Sequence, residues 1–352
     1  MLAYSFIVLP AVALYLIGLM LNVALNRLAL LSFAFVMIAF SGVRYNVGID
    51  YKSYMGLIDG VLQGSSWHFE PGFILMIKGI GLLVSRPDHV AFAVFFVCSA
   101  ITVSLFYKFA LDCSPDPVLS FALFALLPVF YLSSFNAIRS FLAIAIFAYS
   151  LKYVFSSSLF SYLIMIFLAT MFHKTAVLLF PMYWFLRIKP KPLYYLLIGL
   201  IVYIFANSVL LFEGIYSLVG LSSIYIAESK PSSSVSALSL AVFPLFGFFL
   251  LVLWRQRFDA RVGLALNLWY ASVLLVLLQF ILPNIDPKLF YRLTGYFTIS
   301  ILMILPLIVM MFKKTERIFL EISFVLIGSL YFVLTIYING VRYNLVPYET
   351  IF

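Results

Sequence analysis

Charged residues are scarce in this chain of 352 residues. Only 10% of the residues are charged and 65% are hydrophobic, whereas a soluble domain carries about 25% charged residues. Too few polar side chains are left to cover a soluble fold with a wetted surface. The composition therefore predicts a polytopic membrane protein, because each helix that crosses a bilayer needs about 20 mainly apolar residues.

The side chains that serve metal and redox chemistry are scarce as well. The chain has two cysteines, Cys98 and Cys113, and three histidines, and their spacing matches no metal-binding pattern. It carries neither a phosphate-binding glycine loop nor a nucleophile-elbow motif. We therefore expect no metal and no cofactor, and an ATP-driven pump or a serine hydrolase is disfavoured.

Long apolar runs account for most of the sequence. They predict an all-α protein with about 12 transmembrane helices in one integral membrane domain over residues 1–352. Residues 70–84 are also apolar but too short for a crossing, and their Gly/Pro-rich flanks predict a re-entrant or interfacial segment. The predicted spans are 3–21, 28–43, 88–107, 117–133, 137–155, 158–172, 174–187, 192–211, 235–254, 262–282, 291–312 and 318–338.

The positive charge predicts which loops face the cytoplasm. The formal net charge is +9, and the basic residues are spread over short loops, which is typical of the cytoplasmic side of a membrane protein. Such scatter gives no basic face for a nucleic acid. The basic loops at 187–191, 255–261 and 313–317 then face inward. The longer loops at 44–87, with an amphipathic helix, and at 212–234 face outward.

Four arginines fall on the predicted outer side, where the topology rule gives no reason for positive charge. A guanidinium group stays charged and binds phosphate oxygens through paired hydrogen bonds, so these arginines suit a lipid diphosphate. Alternatively, each arginine anchors a helix end or pairs with a carboxylate such as Asp50, Glu70 or Asp286. The four are Arg44, Arg139, Arg292 and Arg342.

Three residues on the same side can handle protons. Asp50 and Glu70 are the acidic candidates, and His173 interrupts a long apolar stretch. A carboxylate or an imidazole can act as a general base toward a hydroxyl group. Each of them also has a structural explanation, as an ion-pair partner or as a polar group at a helix end.

Further polar and aromatic residues lie close to these groups in the sequence. Asn136 precedes Arg139 by three residues, which predicts that both share one helical face. Asn136 and Tyr51 are candidates for positioning a sugar or a phosphate. Tyr51 and Tyr54 can also stack on sugar rings, although most aromatic residues of such a chain belong to the core or to the interfacial belt.

Three stretches together resemble the EpsG family of exopolysaccharide and O-antigen (Wzy-type) polymerases. The first stretch has two parts: residues 44–51 read RYNVGIDY, followed by Tyr54, and residues 70–73 read EPGF. Residues 135–143 read FNAIRSFLA, in which Ser140 stands where the family usually has glutamine. Residues 172–176 read FHKTA, with threonine for the family's serine. The stretches follow the family's order and spacing, and the apolar pattern agrees over nearly the whole chain.

The resemblance implies a GT-C-like polymerase in the inner membrane of a bacterium, with its active site facing the periplasm. Its substrates would be oligosaccharide repeat units on undecaprenyl diphosphate, without a nucleotide sugar, and a chain-length regulator would be a further protein partner. Arg44, Arg139 and Arg292 would hold the diphosphates in place of a metal. Asp50 or His173 would activate the acceptor hydroxyl.

Two alternatives from other classes remain open. A flippase for the same lipid-linked units needs charges deep in several helices and pseudo-symmetric halves, and neither feature is visible in the sequence. A membrane acyltransferase that modifies a polysaccharide would use His173 as its centre.

Overall fold

A computed structural model describes most of the chain. Some predictions fall on other residues. The span at 192–211 apart from residue 197, the span at 235–254, the loop at 212–234, the basic residues Arg255 and Arg257, and Asp286 lie outside the described residues. The described residues are 2–18, 23–65, 70–84, 86–189, 197, 260–281 and 287–351.

The chain forms two compact units. The first unit consists of Met1–Lys152, Met171–His173 and Leu305–Phe352, and the second consists of Tyr153–Thr170 and Lys174–Ile304. Each unit is described by itself below.

Helices account for nearly all of the regular structure in the described residues, so the all-α prediction is confirmed. Short 3-10 helices cover Leu2–Tyr4, Ser133–Phe135 and Lys174–Leu179. The α-helices are α1 (Ser5–Gly18), α2 (Val23–Gly42), α3 (Tyr51–Leu62), α4 (Pro71–Gly81), α5 (Pro87–Cys113), α6 (Pro117–Leu126), α7 (Ile138–Phe155), α8 (Leu159–Phe172), α9 (Met182–Arg187), α10 (Ala260–Ile281), α11 (Pro287–Thr298), α12 (Ile301–Val309) and α13 (Lys314–Asn339).

Five segments of the described chain are long and apolar enough to cross a bilayer, which makes this a helical membrane protein. The predicted total of about 12 spans is not tested by these five and stays a prediction. The five segments are Leu25–Gly42, Pro87–Cys113, Ile138–Phe155, Arg292–Val309 and Lys314–Asn339.

Three predicted spans are not continuous helices. The span at 117–133 stops when α6 ends at Leu126, because the residue before Pro128 is driven out of the helical conformation. The span at 174–187 divides into a 3-10 helix and α9 around Pro181. The span at 291–312 is interrupted between α11 and α12. Apolar content alone does not reveal such breaks.

The loop between α2 and α5 contains two short helices. α4 has 11 residues and is only about 16 Å long, which confirms that the apolar stretch at 70–84 is too short to cross a membrane. α3 is a helix where the amphipathic pattern predicts one, and its apolar face, which includes Tyr51, Tyr54 and Ile58, is buried within the protein. Both helices pack against α5.

A two-stranded antiparallel ribbon joins distant parts of the first unit. Strand β1 (Arg44–Tyr45) pairs with strand β2 (Glu349–Thr350). We call residues 340–351 the C-terminal tail. Its Tyr348 ring stacks on Phe40, with centroids 4.2 Å apart, and Tyr4 donates a hydrogen bond to a backbone carbonyl of the tail. The tail therefore covers the loop that follows α2.

The ion pairs of the first unit fall into two groups. At one end, Lys152 lies 3.6 Å from Asp112, and Arg317 lies 2.9 Å from Asp116. The other group is built around Glu70 and is described below. Arg317, which the sequence places on the cytoplasmic side, thus pairs with an acidic residue at this end of the unit. Which end faces the cytoplasm stays a prediction.

Candidate functional site

The loop between β1 and α3 is shaped by a glycine. Gly48 has a φ of +105°, a conformation that side chains other than hydrogen disfavour. A Cβ at this position would lie 2.9 Å from Asn136 Oδ1 and 3.0 Å from the Phe135 oxygen. Asn136 Oδ1 also accepts a hydrogen bond of 2.7 Å from the backbone of Ile49. Gly48 therefore allows two of the recognised stretches to touch.

Arg44 is buried beneath this loop. It is only 3% exposed, and it donates to the Ser41 carbonyl and to the Phe135 carbonyl at 3.3 Å. Its guanidinium carbon lies 5.3 Å from the ring centroid of Phe95 and 4.8 Å from that of Phe135. The adjoining cavity of about 10 Å³ has room for about one water molecule. In this conformation a diphosphate cannot reach Arg44, so the predicted contact stays a prediction.

Glu70, Arg139 and His173 form one group, which we call the Glu70 cluster. Glu70 Oε2 accepts a hydrogen bond from Arg139 Nη1, and Glu70 Oε1 lies 3.3 Å from His173 Nδ1. Glu70 and His173 are buried, whereas the Arg139 side chain keeps 21% of its surface exposed. The cluster contains one residue from each of three recognised stretches.

The charges in the Glu70 cluster depend on one another. Burial alone would raise the pKa of Glu70, but the hydrogen bond from His173 and the positive charge of Arg139 outweigh it and lower this pKa to about 2. The carboxylate is therefore ionised at neutral pH and is not available as a proton carrier. It can instead fix the imidazole and stabilise positive charge on it.

A close backbone approach brings the cluster together. Gly72 lies in the first turn of α4, where a Cβ would be 2.7 Å from the backbone oxygen of Met171 and 2.8 Å from its Cβ. Only glycine lets this turn pack directly against the end of α8. Glu70 precedes that turn and His173 follows Met171, so the glycine sets the distance between them. The sequence signal was present in the EPGF stretch, but its structural meaning was missed.

Aromatic rings surround the Arg139 guanidinium. Its central carbon lies 5.9 Å from the ring centroids of Tyr54 and of Phe73. Tyr54 is buried, while Tyr51 stacks on Phe95 with centroids 4.7 Å apart. Both tyrosines thus contribute to the packing around the site, and their predicted stacking on sugar rings is not tested.

The remaining candidates lie elsewhere. Asp50 is half-buried directly before α3, and its carbonyl accepts a 2.9 Å hydrogen bond from Tyr54 N. Arg342 is exposed in the tail. Arg292 is half-buried on α11 of the second unit. Within the first unit the structure therefore groups Arg139 with Glu70 and His173, and holds Arg44 separately.

The sequence placed Arg342 of the C-terminal tail among the outer arginines, but it gave no sign that the tail is hydrogen-bonded to the Gly48 loop. Asn344 accepts a 2.7 Å hydrogen bond from Gly48 N and donates one of 2.7 Å to the Asn46 carbonyl. Both asparagines have positive φ values, which asparagine tolerates better than most residues. The tail thus holds the loop between β1 and α3 from a distance of about 300 positions along the chain.

The recognised stretches also agree with a comparison to known families. The sequence model of the EpsG family matches residues 27–350, a region that includes the Glu70 cluster, the Gly48 loop and the tail. No match was found among curated proteins or among solved structures. Because the family match covers nearly the whole chain, it confirms the resemblance read from the motifs, and the chain belongs to the EpsG family.

Proposed function

We propose that this protein is a polysaccharide polymerase that joins oligosaccharide repeat units carried on undecaprenyl diphosphate. The reaction takes place at the periplasmic face of the bacterial inner membrane, in a GT-C-like bundle of about 12 helices. The observation that carries the proposal is the Glu70 cluster, in which one ionised carboxylate contacts both a cation and an imidazole. A glycosyl transfer from a diphosphate needs both groups, one for the leaving group and one for the acceptor proton.

Arg139 is the better candidate for holding the diphosphate in the first unit. Its side chain is 21% exposed, whereas Arg44 is only 3% exposed. A guanidinium group offers five N–H donors in a fixed plane, so Arg139 can contact phosphate oxygens while it remains near Glu70. As the glycosidic bond to the diphosphate breaks, the electron pair and the negative charge go to the leaving oxygen. Arg139 stabilises that charge.

His173 is our first candidate for the general base. With Nδ1 facing Glu70, Nε2 is the basic nitrogen of the imidazole. Nε2 is buried in the described conformation, so a neighbouring segment has to move before a hydroxyl group can reach it. The acceptor hydroxyl gives its proton to Nε2 while its oxygen bonds to the anomeric carbon of the donor chain. Glu70 then stabilises the imidazolium, as a buried carboxylate does in hydrolase triads. Asp50 is the second candidate, because it lies at the start of α3 near the same loop.

Other residues complete the proposal around this centre. Arg292 and Arg342 are proposed as further contacts to the two diphosphates. Asn136 holds the Gly48 loop in the described conformation, and contacts from Arg44, Tyr51 or Asn136 to sugar or phosphate require that loop to move. A chain-length regulator remains the expected protein partner, and lipid surrounds the bundle.

Purified protein in detergent tests the reaction directly. It should lengthen lipid-linked repeat units without a nucleotide sugar, and the rate should rise with pH through the pKa of the base. His173→Gln should lower turnover by about 10²–10⁴-fold if His173 is that base. His89→Gln is the matched control, because His89 is an exposed histidine at the start of α5.

Two results would redirect the proposal. If Asp50→Asn loses turnover and His173→Gln does not, Asp50 takes the role of base. If the intact protein makes no polymer from competent substrate but moves labelled lipid across a vesicle membrane, the protein is a flippase and not a polymerase.

A further inference from the structure

A polar cavity lies at the end of the first unit where α2, α6 and α13 begin. Its volume is about 510 Å³, which is within the range of small-ligand sites. α2 runs from this end toward Gly42 and the Gly48 loop, so the cavity and the proposed catalytic site lie at opposite ends of that helix. Charged residues on α13 and beside α6 line it together with apolar ones.

The carboxylate oxygens of this cavity already accept hydrogen bonds. Arg317 donates from Nε to Glu321 Oε1 at 2.8 Å and from Nη2 to Asp116 Oδ2 at 2.9 Å. Tyr15 donates to Glu321 Oε2 at 2.6 Å, and Leu119 N donates to Asp116 Oδ1 at 3.0 Å. Each of the four carboxylate oxygens thus has a donor, and their charge is partly balanced by Arg317, which makes them weaker sites for a ligand's ammonium group.

Hydrogen-bond donors of two basic side chains remain available in the cavity. In the part of the chain that the structure describes, neither the ammonium group of Lys314 nor Nη1 of Arg317 has a hydrogen bond or an ion pair. Arg317 keeps 34% of its side-chain surface exposed, and Lys314 is exposed and lines the cavity. α6 and α13 both begin here, and helix N-termini favour negative charge. The cavity is therefore suited to an anion with several acceptor oxygens.

Apolar side chains beside these donors suggest what carries the anion. Met310 and Phe312 line the cavity and are 46% and 39% exposed. We propose that the cavity binds the phosphate headgroup of an anionic phospholipid, with Lys314 and Arg317 on the phosphate and the apolar residues beside the acyl chains. A soluble phosphorylated compound has the same phosphate group but no acyl chain to contact the apolar side chains. This site is separate from the proposed catalytic reaction and does not depend on it.

Binding of short-chain lipids to the purified protein tests the site. Dioctanoyl phosphatidylglycerol should bind at one saturable site in isothermal titration, and dioctanoyl phosphatidylcholine should bind at least about tenfold more weakly. Lys314→Gln should weaken phosphatidylglycerol binding about tenfold, the effect of losing one charge-assisted hydrogen bond. Lys313→Gln removes the same charge from an exposed neighbour that does not line the cavity, and it should change the affinity less than twofold.

Each contrary outcome overturns a stated part of the proposal. If inorganic phosphate or glycerol phosphate binds as tightly as phosphatidylglycerol, the ligand is a soluble compound and the lipid assignment is wrong. If Lys314→Gln and Lys313→Gln weaken binding equally, or neither does, the cavity is not the site and these lysines serve only as positive charges that orient the chain.

Discussion

Replacement of Glu70 by glutamine should destabilise the protein, and the size of the effect follows from the lowered pKa of Glu70 in its cluster. The cluster lowers the pKa of Glu70 from 4.5 to about 2, and each pKa unit corresponds to about 1.36 kcal/mol. Ionised Glu70 therefore contributes about 3 kcal/mol to the free energy of unfolding at pH 7. Glu70→Gln should remove most of this contribution, because it leaves Arg139 beside a neutral amide.

The pH dependence follows from the direction of the shift. A lowered pKa in the folded protein gives a stabilisation that is complete above pH 4.5 and is lost as the pH falls toward 2. The difference between wild type and Glu70→Gln should therefore fall to less than half of its neutral value by about pH 3. A mutant that merely packs badly would differ from wild type by a similar amount at both pH values.

Unfolding by SDS in mixed micelles, followed by tryptophan fluorescence, measures these differences. Glu349→Gln is the matched control, since Glu349 is exposed on β2, and it should cost less than about 0.5 kcal/mol. A double-mutant cycle with Arg139→Gln should give a coupling energy above about 1 kcal/mol. Equal stability of Glu70→Gln and Glu349→Gln at neutral pH would refute the electrostatic account of the cluster.

Three further predictions concern catalysis, loop geometry and topology. Arg139→Lys should lose nearly as much polymerase activity as Arg139→Ala at equal protein level, because an ammonium group cannot replace the planar guanidinium; full activity of the lysine variant would show that only the charge matters. Gly48→Ala should cost about 1–3 kcal/mol of stability through its positive φ and close contacts, whereas Gly56→Ala, which has open space around it, should be neutral or stabilising. A cysteine at Ser65 should react with an impermeant thiol reagent in intact cells while one at Asp259 should not, and the reverse pattern would invert the topology.

The fold could be predicted from the sequence where an apolar run had clear ends. α7 matches its predicted span to within one residue, and α2, α5 and α13 overlap theirs with ends that differ by up to six residues, because burial in lipid requires a long uninterrupted apolar helix. The predictions failed where a proline or an irregular turn interrupts the run, as it does at Pro128 and Pro181. Hydropathy reports the environment of a segment and not its backbone geometry.

The candidate site could be predicted only residue by residue. Glu70, Arg139 and His173 were each recognised, and pairing of an arginine with Glu70 was one stated alternative. Their assembly was not predictable, because 69 positions separate Glu70 from Arg139 and no periodic pattern connects them. Arg44 was predicted at a helix end, but the sequence gave no sign that Phe95 and Phe135, which come from distant segments, enclose it.

The pairing of β1 with β2 affects when the protein becomes competent during its synthesis. Tyr45 can pair only after Glu349 has been synthesised. At about 5–20 residues per second the ribosome needs roughly 15–60 s to translate the residues between them. During this time the early helices enter the membrane, while the loop that follows α2 lacks its covering segment. Chains released early by the ribosome would thus lack a finished site. Order of synthesis would in this way keep unfinished copies from engaging the substrate proposed above.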